Sequence, residues 1–102
     1  MKTYQLSYTV EARDDLYRLY DFLVQTDVAL AERALDTIDS AINTMRQHPY
    51  ICRIAAGGML GRYWRELIVN FGNSGYLVLF ESTDEETLTI MAVKHQRESD
   101  YH

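Results

Sequence analysis

Apolar and polar positions change period along this chain, and each change marks the start of a new element. Residues 4–9, Tyr4-Gln5-Leu6-Ser7-Tyr8-Thr9, alternate as a strand does, with Tyr4, Leu6 and Tyr8 on one face. The period then lengthens. Ala12, Leu16, Leu19, Tyr20 and Leu23 recur at helical spacing behind Thr9, a good N-cap, and Glu11, Asp14 and Asp15 place negative charge where the helix dipole favours it. Arg13, Asp14, Arg18 and Asp21 fall largely off that stripe and read as a solvated face. Gln25-Thr26-Asp27 interrupts the pattern and caps a second helix, whose stripe is Leu30, Ala34, Ile38, Ala41, Ile42 and Met45. It stops at Gln47-His48-Pro49, because proline biases the residue before it away from helix. So short a link between two helices predicts an antiparallel helical hairpin.

Residues 50–61 are the least regular stretch, with turns marked by Gly57-Gly58 and Gly61. Residues 63–71 return to alternation, placing Tyr63, Arg65, Leu67, Val69 and Phe71 on one face and Trp64 and Ile68 on the other. Gly72-Asn73-Ser74-Gly75 predicts a hairpin turn, and residues 76–80 are apolar without a break, as in a central strand covered on both faces. Thr83-Asp84-Glu85-Glu86 turns the chain again before a last strand over residues 87–93. The expected fold is α+β: an N-terminal strand, an antiparallel two-helix hairpin, then a three-strand antiparallel meander. These form one twisted sheet with the helices on one face, in a single domain over residues 1–102.

Composition narrows the function classes. An apolar share of 47% suits a packed core rather than disorder. No apolar run approaches the ~20 residues that span a bilayer, so no membrane partner is expected. The N-terminus lacks the apolar core and cleavage site of a signal peptide, and Cys52 has no second cysteine to pair with; a cytoplasmic protein is expected. The net charge of −5 is uneven: residues 1–40 carry −4, residues 41–80 carry +3 and residues 81–102 carry −4. The central stripe of Arg46, Arg53, Arg62 and Arg65 is too small for a dedicated nucleic-acid surface, though not for a local site. Gly57-Gly58-Met59-Leu60-Gly61 lacks the Lys-Ser/Thr of a phosphate loop, and His48, His95 and His102 are too scattered for a metal site. No cofactor and no metal are expected.

The densest cluster of ionisable groups lies where the last strand ends, at Ala92-Val93-Lys94-His95-Gln96-Arg97. That segment, taken from Ile90, with the opening strand, Ala12-Arg13-Asp14-Asp15-Leu16 and Tyr20, the second helix ending at His48-Pro49, Gly61-Arg62-Tyr63-Trp64-Arg65-Glu66-Leu67 and the strand from Tyr76 to Phe80, resembles the RelE/ParE toxin superfamily nearly end to end. The spacing is closer to the ParE branch, the plasmid-stabilisation toxins. The resemblance implies the toxin of a type II toxin–antitoxin pair, neutralised by a small antitoxin encoded beside it that wraps over the helical hairpin and sheet. ParE-type members inhibit DNA gyrase; RelE-type members cut messenger RNA on the ribosome. Scaffold alone does not separate the two.

For RNA cleavage the candidates are Arg62, Arg65, Glu66, Lys94, His95, Arg97 and Tyr101, which between them offer acid, base and phosphate-binding groups. Against that reading, residues 76–80 lack the cation expected there in nuclease members. The ParE reading therefore leads: a protein-binding inhibitor of gyrase in which Arg62, Trp64, Arg65, Lys94, His95 and Arg97 contact antitoxin or target. The alternatives are a ribosome-dependent endoribonuclease using Arg65, His95, Arg97 and Tyr101, or an inactive member that only binds antitoxin. Each residue also has a structural explanation. Arg65 can pair with a carboxylate, His95 can be a hydrogen-bonded structural histidine, and Arg97 can pair at the sheet edge. Arg62 can be a solvated charge. Trp64 can pack under a helix or against the antitoxin rather than stack on a base.

Overall fold

In the computed structural model, residues 3–55 and 64–98 are described. The elements run β1 (Gln5–Tyr8), α1 (Val10–Val24), α2 (Val28–Met45), a 3-10 turn (Pro49–Ile51), β2 (Arg53–Ala55), β3 (Trp64–Phe71), β4 (Ser74–Ser82) and β5 (Thr87–His95). The five strands form one sheet in the order β1-β5-β4-β3-β2. The expected α+β architecture holds, with two additions. A three-residue edge strand, β2, pairs with β3; it is too short to leave a period in the sequence. β1 lies parallel to β5, which the intervening helical hairpin makes possible by returning the chain to the opposite end of the sheet.

Both helix starts follow their caps. Thr9 Oγ1 accepts from the Ala12 N–H at 3.0 Å, and Asp27 Oδ1 accepts from the N–H groups of Ala29 and Leu30, interactions worth about 1 kcal/mol each. The core forms where the inner faces of α1 and α2 meet one face of the sheet. Ala12, Leu19, Ala34, Ile38 and Ile42 pack with Val69, Val78, Phe80, Leu88, Ile90 and Val93. Phe80, Ile38, Ile42, Leu88 and Ile90 are almost wholly buried, each contributing roughly 1.5–3 kcal/mol. Trp64, which alternates with Arg65 and Leu67 along β3, faces away from the helices and does not pack under one.

The β4–β5 register shifts at Leu79/Phe80: Leu79 pairs with Ala92 but Phe80 with Ile90, leaving Met91 without a partner on β4. On the other side of β5, pairing with β1 ends at Ile90. α1 and its cap take over from there. The Thr9 N–H donates to Ile90 O, the Thr9 hydroxyl to Met91 O, and the Val93 N–H donates to Asp15 Oδ2 at 2.9 Å. Asp15 is only 5% exposed, so this carboxylate extends the sheet's hydrogen bonding into the helix layer.

Candidate functional site

Two regions hold the side chains from which a site could be built. The first is the rim of the sheet, whose two ends the register keeps apart: Arg65 at the start of β3 lies level with Phe80 and Ile90, whereas His95 at the exit of β5 lies level with Tyr76 beside the β3–β4 turn, so the two are not brought together. Arg65 projects from β3 on the helix-facing side but meets no carboxylate there. Its Nη1 donates to Cys52 O at 2.8 Å and, at a longer 3.4 Å, to Tyr50 O, while the guanidinium lies 5.1 Å from the Tyr50 ring centre. One arginine thus fastens the 3-10 turn to the sheet. Arg53 pairs with the nearly buried Glu66 across the β2–β3 ladder, its Nε donating to Oε1 at 2.8 Å. The half-buried Trp64 donates from Nε1 to Glu81 Oε2 at 3.2 Å on the face away from the helices. Burial pushes the Cys52 thiol up, and the nearby Arg65 offsets this only in part, so the thiol is no ready nucleophile.

His95 ends β5. Its Nδ1 accepts from the Arg97 N–H at 3.1 Å, which leaves the proton of the neutral ring on Nε2, 3.0 Å from Ser74 Oγ. In that tautomer Nε2 donates to the serine oxygen and cannot take its proton; the pair is not a nucleophile with its base. The ring also stands edge-on to Tyr76 at 5.5 Å. Lys94 Nζ donates to Glu98 O at 2.8 Å. Arg97 is exposed, and its guanidinium forms no ion pair among the described residues. Arg62 and Tyr101 lie outside the described residues.

Glu98, which sequence reasoning passed over, organises this exit. Its carboxylate accepts from the His95 N–H at 2.9 Å and from Arg18 Nη1 at 3.1 Å, and Arg18 also reaches Asp15 at 3.6 Å. Burial opposes the charged form of Glu98, but the hydrogen bonds from His95 and Arg18 and the nearby positive charge outweigh it and hold the carboxyl below its ordinary value.

The second region is an open groove of about 680 Å³ between α1, α2 and the end of β1. Leu16 and Leu35, both half-buried, give it an apolar floor above the buried Ile38 and Ile42, Tyr8, Tyr17 and Tyr20 line it, and Arg13 on α1 is part of the lining with Asp36 and Asp39 on α2. Tyr17 is 70% exposed. Burial and then the charge of Asp39 push the Tyr8 phenol up, against a smaller effect of Arg46. The signals for this groove were present in the sequence as Tyr17 and Asp36, set just beside the apolar stripes, but nothing in the periodicity shows that two helices will leave a trough between them. Asp15 was more legible: Ala12, Asp15 and Leu19 share one helical face, so the carboxylate sits within the buried stripe.

Among the described residues no group of three or more His, Cys, Asp or Glu side chains could hold a metal ion, and no helix is long and apolar enough to cross a membrane. No curated protein sequence matches the chain. Solved structures do. The toxin–antitoxin complex described as the chromosomal ParDE system from P. aeruginosa includes a chain with a TM-score of 0.70 at 18% identity, over 91% of this chain and 96% of that one. A chain of the RelBE2 toxin–antitoxin complex from Mycobacterium tuberculosis gives 0.55 at 20% identity, over 96% and 97%. At such identities the likeness establishes the fold. The family described as "ParE toxin of type II toxin-antitoxin system, parDE" matches residues 6–100, nearly the whole length. The chain belongs to the ParE toxin family of type II toxin–antitoxin systems.

Proposed function

We propose that the chain is the toxin of a pair, held by a cognate antitoxin, and that once free it inhibits DNA gyrase by surface contact rather than by cutting RNA. The observation that carries this is the state of His95. Its Nδ1 is occupied by a backbone N–H and its Nε2 is turned to Ser74, so the side chain best suited to acid–base work on RNA is fixed as a structural group. Arg65 supports the same reading, since its guanidinium is spent on two carbonyls and a ring rather than left for a phosphate. The central strand β4 brings no lysine or arginine to the site. Exposed apolar side chains on the hairpin and the β2 edge, among them Tyr17, Phe22, Ile51 and Ile54, fit a protein that works through partners.

The test is a gyrase supercoiling assay on relaxed plasmid with the full chain titrated in and the antitoxin added back. Inhibition that the antitoxin reverses is the expected result. A folded protein that leaves gyrase untouched but cuts messenger RNA on the ribosome would replace this reading with the endoribonuclease. One that does neither would identify a member that only binds antitoxin.

A further inference from the structure

The two edges of the sheet differ in what protects them. At one edge β1 presents the polar side chains of Gln5 and Ser7 to solvent, and the end of α2 is tied beside it: the Tyr4 N–H donates to Arg46 O at 3.2 Å and Arg46 Nε to Tyr4 O at 2.7 Å. At the other edge β2 pairs with β3 alone and leaves its far side open among the described residues. Exposed edges are usually guarded by an unpaired charge or by a proline within the strand. β2, Arg53-Ile54-Ala55, has no proline, and its one charge is neutralised by Glu66. Ile51 at 84% exposure and Ile54 at 55% stand along it, so this edge is apolar as well as open.

Such an edge is complementary to a second strand of the same kind. An antiparallel two-fold centred on Ile54 sets that side chain against Ile54 of a second copy, a β-branched pair on the helix-facing side, with Ile51 beside it. The same register sets Arg53 against Ala55 of the second copy. Along the opposite face the joined sheet then reads Glu66 and Arg53 from one copy, followed by Ala55, Trp64 and Glu81 from the other. Charge is complementary along that row. Glu66 takes Nε and Nη2 of Arg53, whose Nη1 has no hydrogen-bond partner among the described residues and whose side chain is 57% exposed. Ala55 is too small to screen it. Two strand spacings, roughly 10 Å, separate the Arg53 and Trp64 backbones, which lets the guanidinium meet the indole ring and the Glu81 carboxylate behind it. The two-fold repeats this contact at the other end of the seam.

We propose that two copies of the chain pair through β2, edge to edge and antiparallel about Ile54, so that the five-stranded sheet of each continues into that of the other. Pairing here does not depend on which target the toxin acts on. The hairpin groove is bounded by Tyr8 of β1, at the far edge of the sheet, so the pair leaves it open. With three residues of strand from each copy the interface is at the small end for proteins, and association falls in the micromolar range.

The test is sedimentation velocity of the full-length chain alone, from low to high micromolar concentration. Wild type should pass from monomer to dimer across that range. Ile54→Lys, which sets like charges face to face at the two-fold, should remain monomeric with an unchanged melting temperature. A second variant reports the register without relying on weakened binding. In a Cys52→Ser background, Ile54→Cys should lock into a covalent dimer on oxidation with diamide, because directly opposite residues lie about 5 Å apart, whereas Tyr17→Cys on the hairpin should not. Wild type that stays monomeric throughout would overturn the inference. So would a dimer that Ile54→Lys leaves intact or that Ile54→Cys fails to lock, since the contact would then lie on another face.

Discussion

The hairpin groove and the ends of the sheet both carry charged and aromatic side chains, yet they use them in opposite ways. At the two ends of the sheet, Arg53 and Arg65 at one and His95 and Glu98 at the other each find a partner within the chain, and the partners are mostly backbone groups or neighbouring strands. In the groove, Asp36, Asp39 and Tyr17 stand open beside an apolar floor. Charge that is satisfied internally contributes to holding the fold; charge left open beside dry surface is available to a partner. The sequence draws attention to the first region because its ionisable residues cluster there. The second is the better interaction surface because its residues are not occupied.

Several substitutions would sharpen or break this contrast. The largest effect is expected at the β3–β4 turn that supports Ser74 and His95. A Cβ on Gly75 would lie 2.0 Å from Val69 O, a backbone atom that cannot give way, so Gly75→Ala should destabilise by on the order of 3 kcal/mol. Gly72, with φ of +61° but open space around it, needs glycine for conformation alone, and Gly72→Ala should cost only about 1 kcal/mol. Denaturant titration of both variants orders the two effects, and equal losses would contradict the close approach.

Next comes the carboxylate that ties α1 to β5. Asp15→Ala strands the Val93 N–H and should cost about 1–3 kcal/mol, whereas Asp15→Asn keeps an acceptor oxygen and should lose clearly less. If Asn proves as damaging as Ala, negative charge rather than the hydrogen bond is what the site requires.

A smaller effect is expected at Glu98, and it depends on pH. Its folded-state pKa lies below the ordinary value of 4.5, so its contribution is fully present above that value and disappears as pH falls through the lowered folded value. Glu98→Gln should therefore be less stable than wild type at neutral pH, with the gap closing in acid. Melting curves from neutral pH down to the acid range read this directly, and a gap that widens on acidification would reverse the assignment.

The smallest stability change is expected in the groove. Asp36→Asn/Asp39→Asn removes two exposed carboxylates that support nothing in the fold and should shift stability by no more than ~0.5 kcal/mol. A large loss would place those side chains in the protein's own structure and erase the contrast between the two regions.

How much of this could be read from the sequence follows the range of the interactions involved. The helices, their Thr9 and Asp27 caps, the Pro49 stop and the hairpin at residues 72–75 are local, and each was legible from neighbouring residues. The pairing of β1 with β5 and the three-residue β2 depend on contacts far apart in the chain, and periodicity carries no information about them. The same divide runs through the candidate site. His95 and Arg65 stand out as residue types, but the Arg97 N–H at Nδ1 and the Cys52 carbonyl at the guanidinium are set by tertiary structure. The buried Asp15 could have been found on the apolar face of α1, while the bulge at Met91 that makes it necessary could not.

The most direct test of the account is gyrase supercoiling inhibition by wild type and His95→Gln side by side, with ribosome-dependent messenger RNA cleavage followed in the same preparations. The two proteins should inhibit gyrase within about threefold of each other and neither should cut RNA, since a surface inhibitor loses little when one structural side chain changes. Messenger RNA cleavage by wild type that disappears in a fully folded His95→Gln would contradict it.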